Sequence, residues 1–129
     1  MSVVVLDASA LLALLRDEPG GQRVRDTLNT AMMSAVNVAE VIGYYAKKGA
    51  AKGDIHSLLD PLPIAIAAFD HEIACEAGLM RPLGEKVGLS LGDRACLALA
   101  RKLGASALTA DQIWNRVAEE AGVAVELIR

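Results

Sequence analysis

Four acidic residues stand where a carboxylate can do more than solvate a surface: Asp7, Glu40, Asp93 and Asp111. Asp7 falls just past the apolar run Val3 to Leu6, and Asp111 just past Ala105 to Thr109, so both sit beyond the carboxyl ends of expected strands. Glu40 is the only charge between Val36 and Ala46, in a helix apolar on most of its circumference. Asp93 lies in the first turn of the helix that leads into the Ala105 strand. Each also has a structural reading. Ser90-Leu91-Gly92-Asp93 fits a capping box, Asp7 and Asp111 stand at helix starts, and Glu40 shares a polar stripe with Asn37 and Tyr44. As a set they point elsewhere. Gathered carboxylates repel and raise one another's pKa, so a fold that brings them together needs a cation. Hard oxygen ligands select Mg2+ or Mn2+, and such ions activate water and stabilise charge on a phosphate, which is the chemistry of phosphodiester hydrolysis.

The elements that must position these acids alternate along the chain. Val3 to Leu6 reads as a strand buried on both faces, Ala8 to Arg16 as a helix broken at Pro19-Gly20-Gly21, and Val24 with Leu28 as a second helix reaching about Asn29. A short strand at Met32 to Ser34 precedes a helix from Val36 to Lys48 and a shorter one from Asp54 to Asp60. Pro63 to Phe69 alternates Ile and Ala like a buried strand. Asp70 then caps a helix to about Met80, and Pro82, Gly84 and Gly88 make a loop. Ser90 to Leu103 is a helix stopped by Gly104, Ala105 to Thr109 a strand, Asp111 to Ala121 a helix, and Val123 to Ile128 a last strand. Strands alternating with helices predict an α/β fold with a parallel sheet covered on both faces. Ligands of such sheets bind beyond the carboxyl ends of the strands, where strand order reverses. Neighbouring strands there would bring Asp7 and Asp111 together.

The 129 residues, 53% hydrophobic and 22% charged, suffice for one domain with a sizeable core. Cys75 and Cys96 lie among small apolar residues without the spacing of a zinc site or a disulfide framework, and read as buried small hydrophobes. The first residues lack a basic leader and hold Asp7 inside the apolar run, fitting neither a signal peptide nor a membrane span, so a cytoplasmic protein without membrane contact is expected. A net charge of −3 and a pI near 5.3 lack the basic footprint of a constitutive nucleic-acid binder. Divalent cations on clustered acids would supply the positive charge instead.

VVVLDASALLALL, SAVNVAEV, LSLGDRACLALA and ALTADQIW, in that order over nearly the whole chain, resemble the four acidic motifs of PIN-domain nucleases. In size and motif order the chain is most similar to the VapC-type toxins of toxin–antitoxin pairs. The resemblance implies a three-layer fold with a parallel sheet of about five strands, in a single domain spanning residues 1–129. It implies that Asp7, Glu40, Asp93 and Asp111 hold Mg2+ or Mn2+ and carry catalysis, with the hydroxyls of Ser9 and Thr109 beside them. It also implies an endoribonuclease acting on RNA, a homodimer, and a cognate antitoxin whose C-terminal segment covers and inhibits the site.

Arg16, Arg23, Arg25, Arg81 and Arg94 are candidate phosphate contacts, although surface arginines occur on any soluble domain. Trp114 and Tyr44-Tyr45 read as core or interface packing before base stacking, and His56 and His71 as isolated and solvated. A receiver-like phospho-acceptor domain is the alternative, with Asp70 after the third strand and Thr109 ending the fourth. It lacks the acidic pair after the first strand and the Lys after the last. A haloacid-dehalogenase-like site would need a second acid at position 9, where Ser9 stands. A catalytically silent binding module is the remaining alternative, but all four acidic positions are filled.

Overall fold

The computed structural model describes residues 2–129. In chain order it contains β1 (Val4–Leu6), α1 (Ala8–Leu15), α2 (Gly21–Arg25), β2 (Ala31–Ser34), α3 (Ala35–Lys47), α4 (Lys52–Leu59) and β3 (Ala65–Ala67). There follow α5 (His71–Leu79), α6 (Arg81–Val87), α7 (Leu91–Leu103), β4 (Ser106–Thr109), α8 (Ala118–Ala121) and β5 (Val125–Leu127). The five strands form one parallel sheet in the order β3-β2-β1-β4-β5.

Burial of the central strand follows from its composition. Val5 and Leu6 have no exposed surface, and because side chains alternate across a sheet they enter opposite cores. Val5 packs with Ile73 of α5 and Leu97 of α7, whereas Leu6 packs with Leu11 of α1 and Val41 of α3. The sheet is therefore the middle of three layers, an α/β architecture with helices on both faces, as the alternation of elements predicts. The chain steps from β1 to β2 and β3 in one direction and then crosses back to lay β4 on the other side of β1. Strand order thus reverses between β1 and β4, and the crevice of such a sheet opens there. No helix among the described residues is long and apolar enough to cross a membrane.

Several local expectations are corrected. Pro82 and Gly88, read as loop residues, bound α6 instead: Pro82 occupies its first turn, where its missing N–H costs nothing, and Gly88 ends it at φ 77°. The Ile/Ala segment forms only the three residues of β3, at the sheet edge, where Ile66 is 61% exposed. Its apolar alternation does not reveal whether one neighbour or two flank the strand. The helix expected from Asp111 divides into a 3-10 turn at Gln112–Arg116 and α8. The helix expected around Val24 and Leu28 is α2 followed by a 3-10 turn at Leu28–Thr30. Cys96 is buried as expected, but Cys75 is exposed.

The start of α2 is seated directly on α1. A Cβ on Gly21 would stand 2.7 Å from the Ala13 carbonyl oxygen and 3.2 Å from Leu14 Cα, backbone atoms that cannot turn aside. Gly21→Ala is expected to cost about 1–3 kcal/mol, as overpacking does, read as a lower urea midpoint with an unchanged m-value.

Candidate functional site

Asp7 occupies the N-cap position of α1 in extended backbone, yet its side chain makes no capping bond. Instead the carboxylate is drawn to β4: Oδ2 accepts from Ser9 Oγ at 2.6 Å and from Thr109 Oγ1 at 2.9 Å. A hydroxyl has one proton, so with both committed to Asp7 the 3.2 Å approach of Ser9 Oγ to Thr109 Oγ1 carries none. Each hydroxyl oxygen also accepts a backbone N–H, Ser9 Oγ from Ala110 and Thr109 Oγ1 from Asp111. This network ties the ends of β1 and β4 together across the reversal of strand order.

The other three acids enter from two helices and a turn. The Ser90 side chain caps α7, and Asp93 Oδ2 accepts the Ser90 N–H at 2.8 Å, completing the capping box expected from the sequence. Asp111 caps the 3-10 turn by accepting the Ile113 N–H at 3.0 Å. Glu40 is exposed on α3, where its Oε1 accepts from the Asn37 amide at 2.9 Å. The same amide donates to the Gly92 carbonyl of α7 at 3.0 Å.

The charges of these groups act on one another. Burial pushes the Asp7 pKa up to about 6; the Ser9 and Thr109 hydroxyls counter this, and the charges of Asp93 and Glu40 add to it. The Asp93 carboxyl is also raised, first by burial, against the two Ser90 hydrogen bonds and with the charge of Asp111 adding. The Trp114 indole N–H favours the charged form of Asp93 from outside hydrogen-bonding geometry, and this buried N–H has no other partner. Beneath the acids, Cys96 has its thiol pushed well up by burial and by Asp7, Asp93 and Glu40, so it is inert as a nucleophile. Asp7, Glu40 and Asp93 thus all act on the buried Cys96 thiol, and Asp111 acts on Asp93.

Each carboxylate spends one oxygen on the fold: Asp7 Oδ2, Glu40 Oε1, Asp93 Oδ2 and Asp111 Oδ1. The second oxygen of each makes no hydrogen bond among the described residues. A set of free, mutually repelling carboxylate oxygens fits a hard divalent cation in chemistry and in charge. Among the described residues no three acidic, His or Cys side chains stand close enough together to grip one ion.

Asn37 and Gly92 belong to this site and are not among the residues singled out from the sequence. The amide of Asn37 was legible only as part of a solvated stripe, and Gly92 only as a spacer within the capping box. Of the candidate phosphate contacts, Arg94 is corrected: its Nη1 donates to the Ala77 carbonyl at 3.1 Å and its Nε is buried without a partner. Arg16, Arg23 and Arg81 are held in exposed ion pairs with Glu18, Glu126 and Glu85. Trp114 is wholly buried, as expected. Asp70, which a phospho-acceptor site would need free, follows the edge strand β3 and caps α5 through the Ile73 N–H.

A family model described as the PIN domain matches residues 4–120. No curated protein matches the sequence. Among solved structures, the chain is similar to one from DNA-bound VapBC of Salmonella typhimurium, with TM-score 0.75 and 17% identity over 100% of both chains. It is also similar to one from VapBC2 of Rickettsia felis bound to a promoter DNA fragment, with TM-score 0.72 and 20% identity over 97% of this chain and 98% of that one. VapBC-5 of Mycobacterium tuberculosis, a member of a family of toxin–antitoxin systems, gives TM-score 0.62 and 20% identity over 100% and 99%. At these identities the likeness shows the fold.

The raised pKa of Asp7 makes the metal-free protein pH-sensitive. Between the ordinary value of 3.8 and the folded value of about 6, the folded state holds more protons than the unfolded one, so stability falls as pH rises through that window. Above it the whole penalty is present, on the order of 3 kcal/mol. Asp7→Asn in EDTA is expected to raise stability by up to that amount at about pH 7.5 and by much less at about pH 4, measured by urea unfolding at both. An equal gain at the two pH values would contradict the assignment.

Proposed function

The chain belongs to the PIN-domain family, and from that premise we propose that it is a metal-dependent endoribonuclease, the toxin of a type II toxin–antitoxin pair, acting as one nuclease domain over residues 1–129. The observation that carries this reading is the set of four carboxylates, each with one oxygen anchored to the fold and one left free, at the crevice where strand order reverses.

In this reading Asp7, Glu40, Asp93 and Asp111 hold Mg2+, or Mn2+ in its place, and are the catalytic residues, while Ser9 and Thr109 fix the Asp7 carboxylate. When bound, the cation supplies activation of water and neutralisation of charge on the scissile RNA phosphate. The residues contribute the rest. The Ser9 and Thr109 hydroxyls hold Asp7 ionised against its burial, and the capping box and the Asp111 turn aim two further carboxylates from fixed backbone. The reading places the protein in the cytoplasm, as a homodimer with a cognate antitoxin. Support for protein partners comes from structural relatives that are VapBC complexes. Further support comes from an open apolar groove of about 450 Å3 walled by Val38, Ile42, Leu59, Leu62, Ile64 and Ile66.

The test is cleavage of total cellular RNA by purified, partner-free protein with Mg2+ or Mn2+, against EDTA and Asp93→Asn. Asn keeps an acceptor for the Ser90 N–H, so the cap and the fold should survive while cleavage falls about 100-fold or more. Metal-independent cleavage, or a fully active variant, would refute the proposal.

A further inference from the structure

We propose that Asn37 and Gly92 are positioning residues for Glu40, a clamp between α3 and α7 that the fold retains at the expense of its own stability. This deepens the nuclease reading and rests on it. Helix α3 buries Val41 in the core on one face of the sheet, and α7 buries Leu97 in the core on the other. Their first turns meet through one side chain. The Asn37 amide donates to Glu40 Oε1 at 2.9 Å and to the Gly92 carbonyl at 3.0 Å. Glu40 is exposed and has no other hydrogen bond among the described residues, so without this contact its long side chain would sample many rotamers.

The orientation of the amide is forced. Turned over, its oxygen would face two acceptors, Glu40 Oε1 and the Gly92 carbonyl. In the orientation it takes, Oδ1 is buried with no partner, in a residue with no exposed surface. A buried acceptor left unpaired opposes folding. The Gly92 carbonyl does not need Asn37, because helix geometry gives it the Cys96 N–H one turn on. Asn37 is therefore a poor choice for stability, and its one specific service is to hold Glu40.

Gly92 is a second such choice at the same contact. It lies in the first turn of α7 and is not among the glycines with positive φ, so no backbone conformation requires it there, and alanine would cost less conformational entropy on folding. What requires it is space: a Cβ at position 92 would overlap the Glu40 carboxylate. Two independently unfavourable residues, on two helices, thus converge on one carboxylate.

The experiment compares Asn37→Leu and Gly92→Ala in the full chain with wild type. Thermal unfolding in EDTA is expected at or above the wild-type midpoint for Gly92→Ala, and no lower than wild type for Asn37→Leu. Mn2+ affinity by calorimetry should weaken about tenfold or more in each. The kcat for RNA should fall with KM unchanged, and the double variant should lose little beyond the worse single one, since both act through Glu40. Should Asn37→Leu fail to fold, Gly92→Ala alone decides. Intact Mn2+ affinity and kcat in Gly92→Ala, or a lowered midpoint as its only effect, would overturn the clamp. Wild-type protein that neither binds Mn2+ nor cleaves RNA would overturn the nuclease reading itself.

Discussion

Asp7 is a carboxylate taken almost wholly out of water at the end of the central strand, and much of the surrounding arrangement answers that burial. Desolvation disfavours its charge, and two hydroxyls on one oxygen offset part of the penalty. One hydroxyl comes from α1 and the other from β4, and both also accept backbone N–H groups beyond β4. Holding a single anion in place therefore fixes the relative position of two strand ends. The uncompensated remainder, to which the charges of Asp93 and Glu40 add, leaves the Asp7 pKa at about 6.

The fold was largely legible because its signals are local. A β-branched apolar run marked β1, and Ser90 with Asp93 at capping-box spacing marked the start of α7. Asp7 and Asp111 each follow the carboxyl end of a strand, which sets both beside the reversal of strand order. What was not legible depends on which element lies opposite. Asn37 looks like one member of a solvated stripe until α7 covers it, and Gly92 carries no periodic signal. Arg94 reads as a free cation until the end of α5 supplies the Ala77 carbonyl. Pro82 and Gly88 are breakers in isolation, and only their separation by one short helix turns them into its start and stop.

The acidic balance of the chain is compatible with binding a polyanion. Arg16, Arg23 and Arg81 are neutralised by exposed carboxylates, and pairs of that kind contribute little to stability. Such cations can exchange a carboxylate for a phosphate at small cost, so formal charge understates what the surface can offer a nucleic acid.

The bond from Thr109 to Asp7 spans 102 positions, so the two halves of the crevice come from segments far apart in sequence. Contacts of such separation form only after the intervening loop has closed, and in a parallel sheet they are intrinsically late. During synthesis the amino-terminal strand emerges first and must wait for β4 to leave the ribosome. Until then the nascent chain carries Asp7 without the hydroxyl that completes its setting. Any activity that needs this crevice assembled must therefore wait until β4 has been made, a timing set by the order of the strands along the chain.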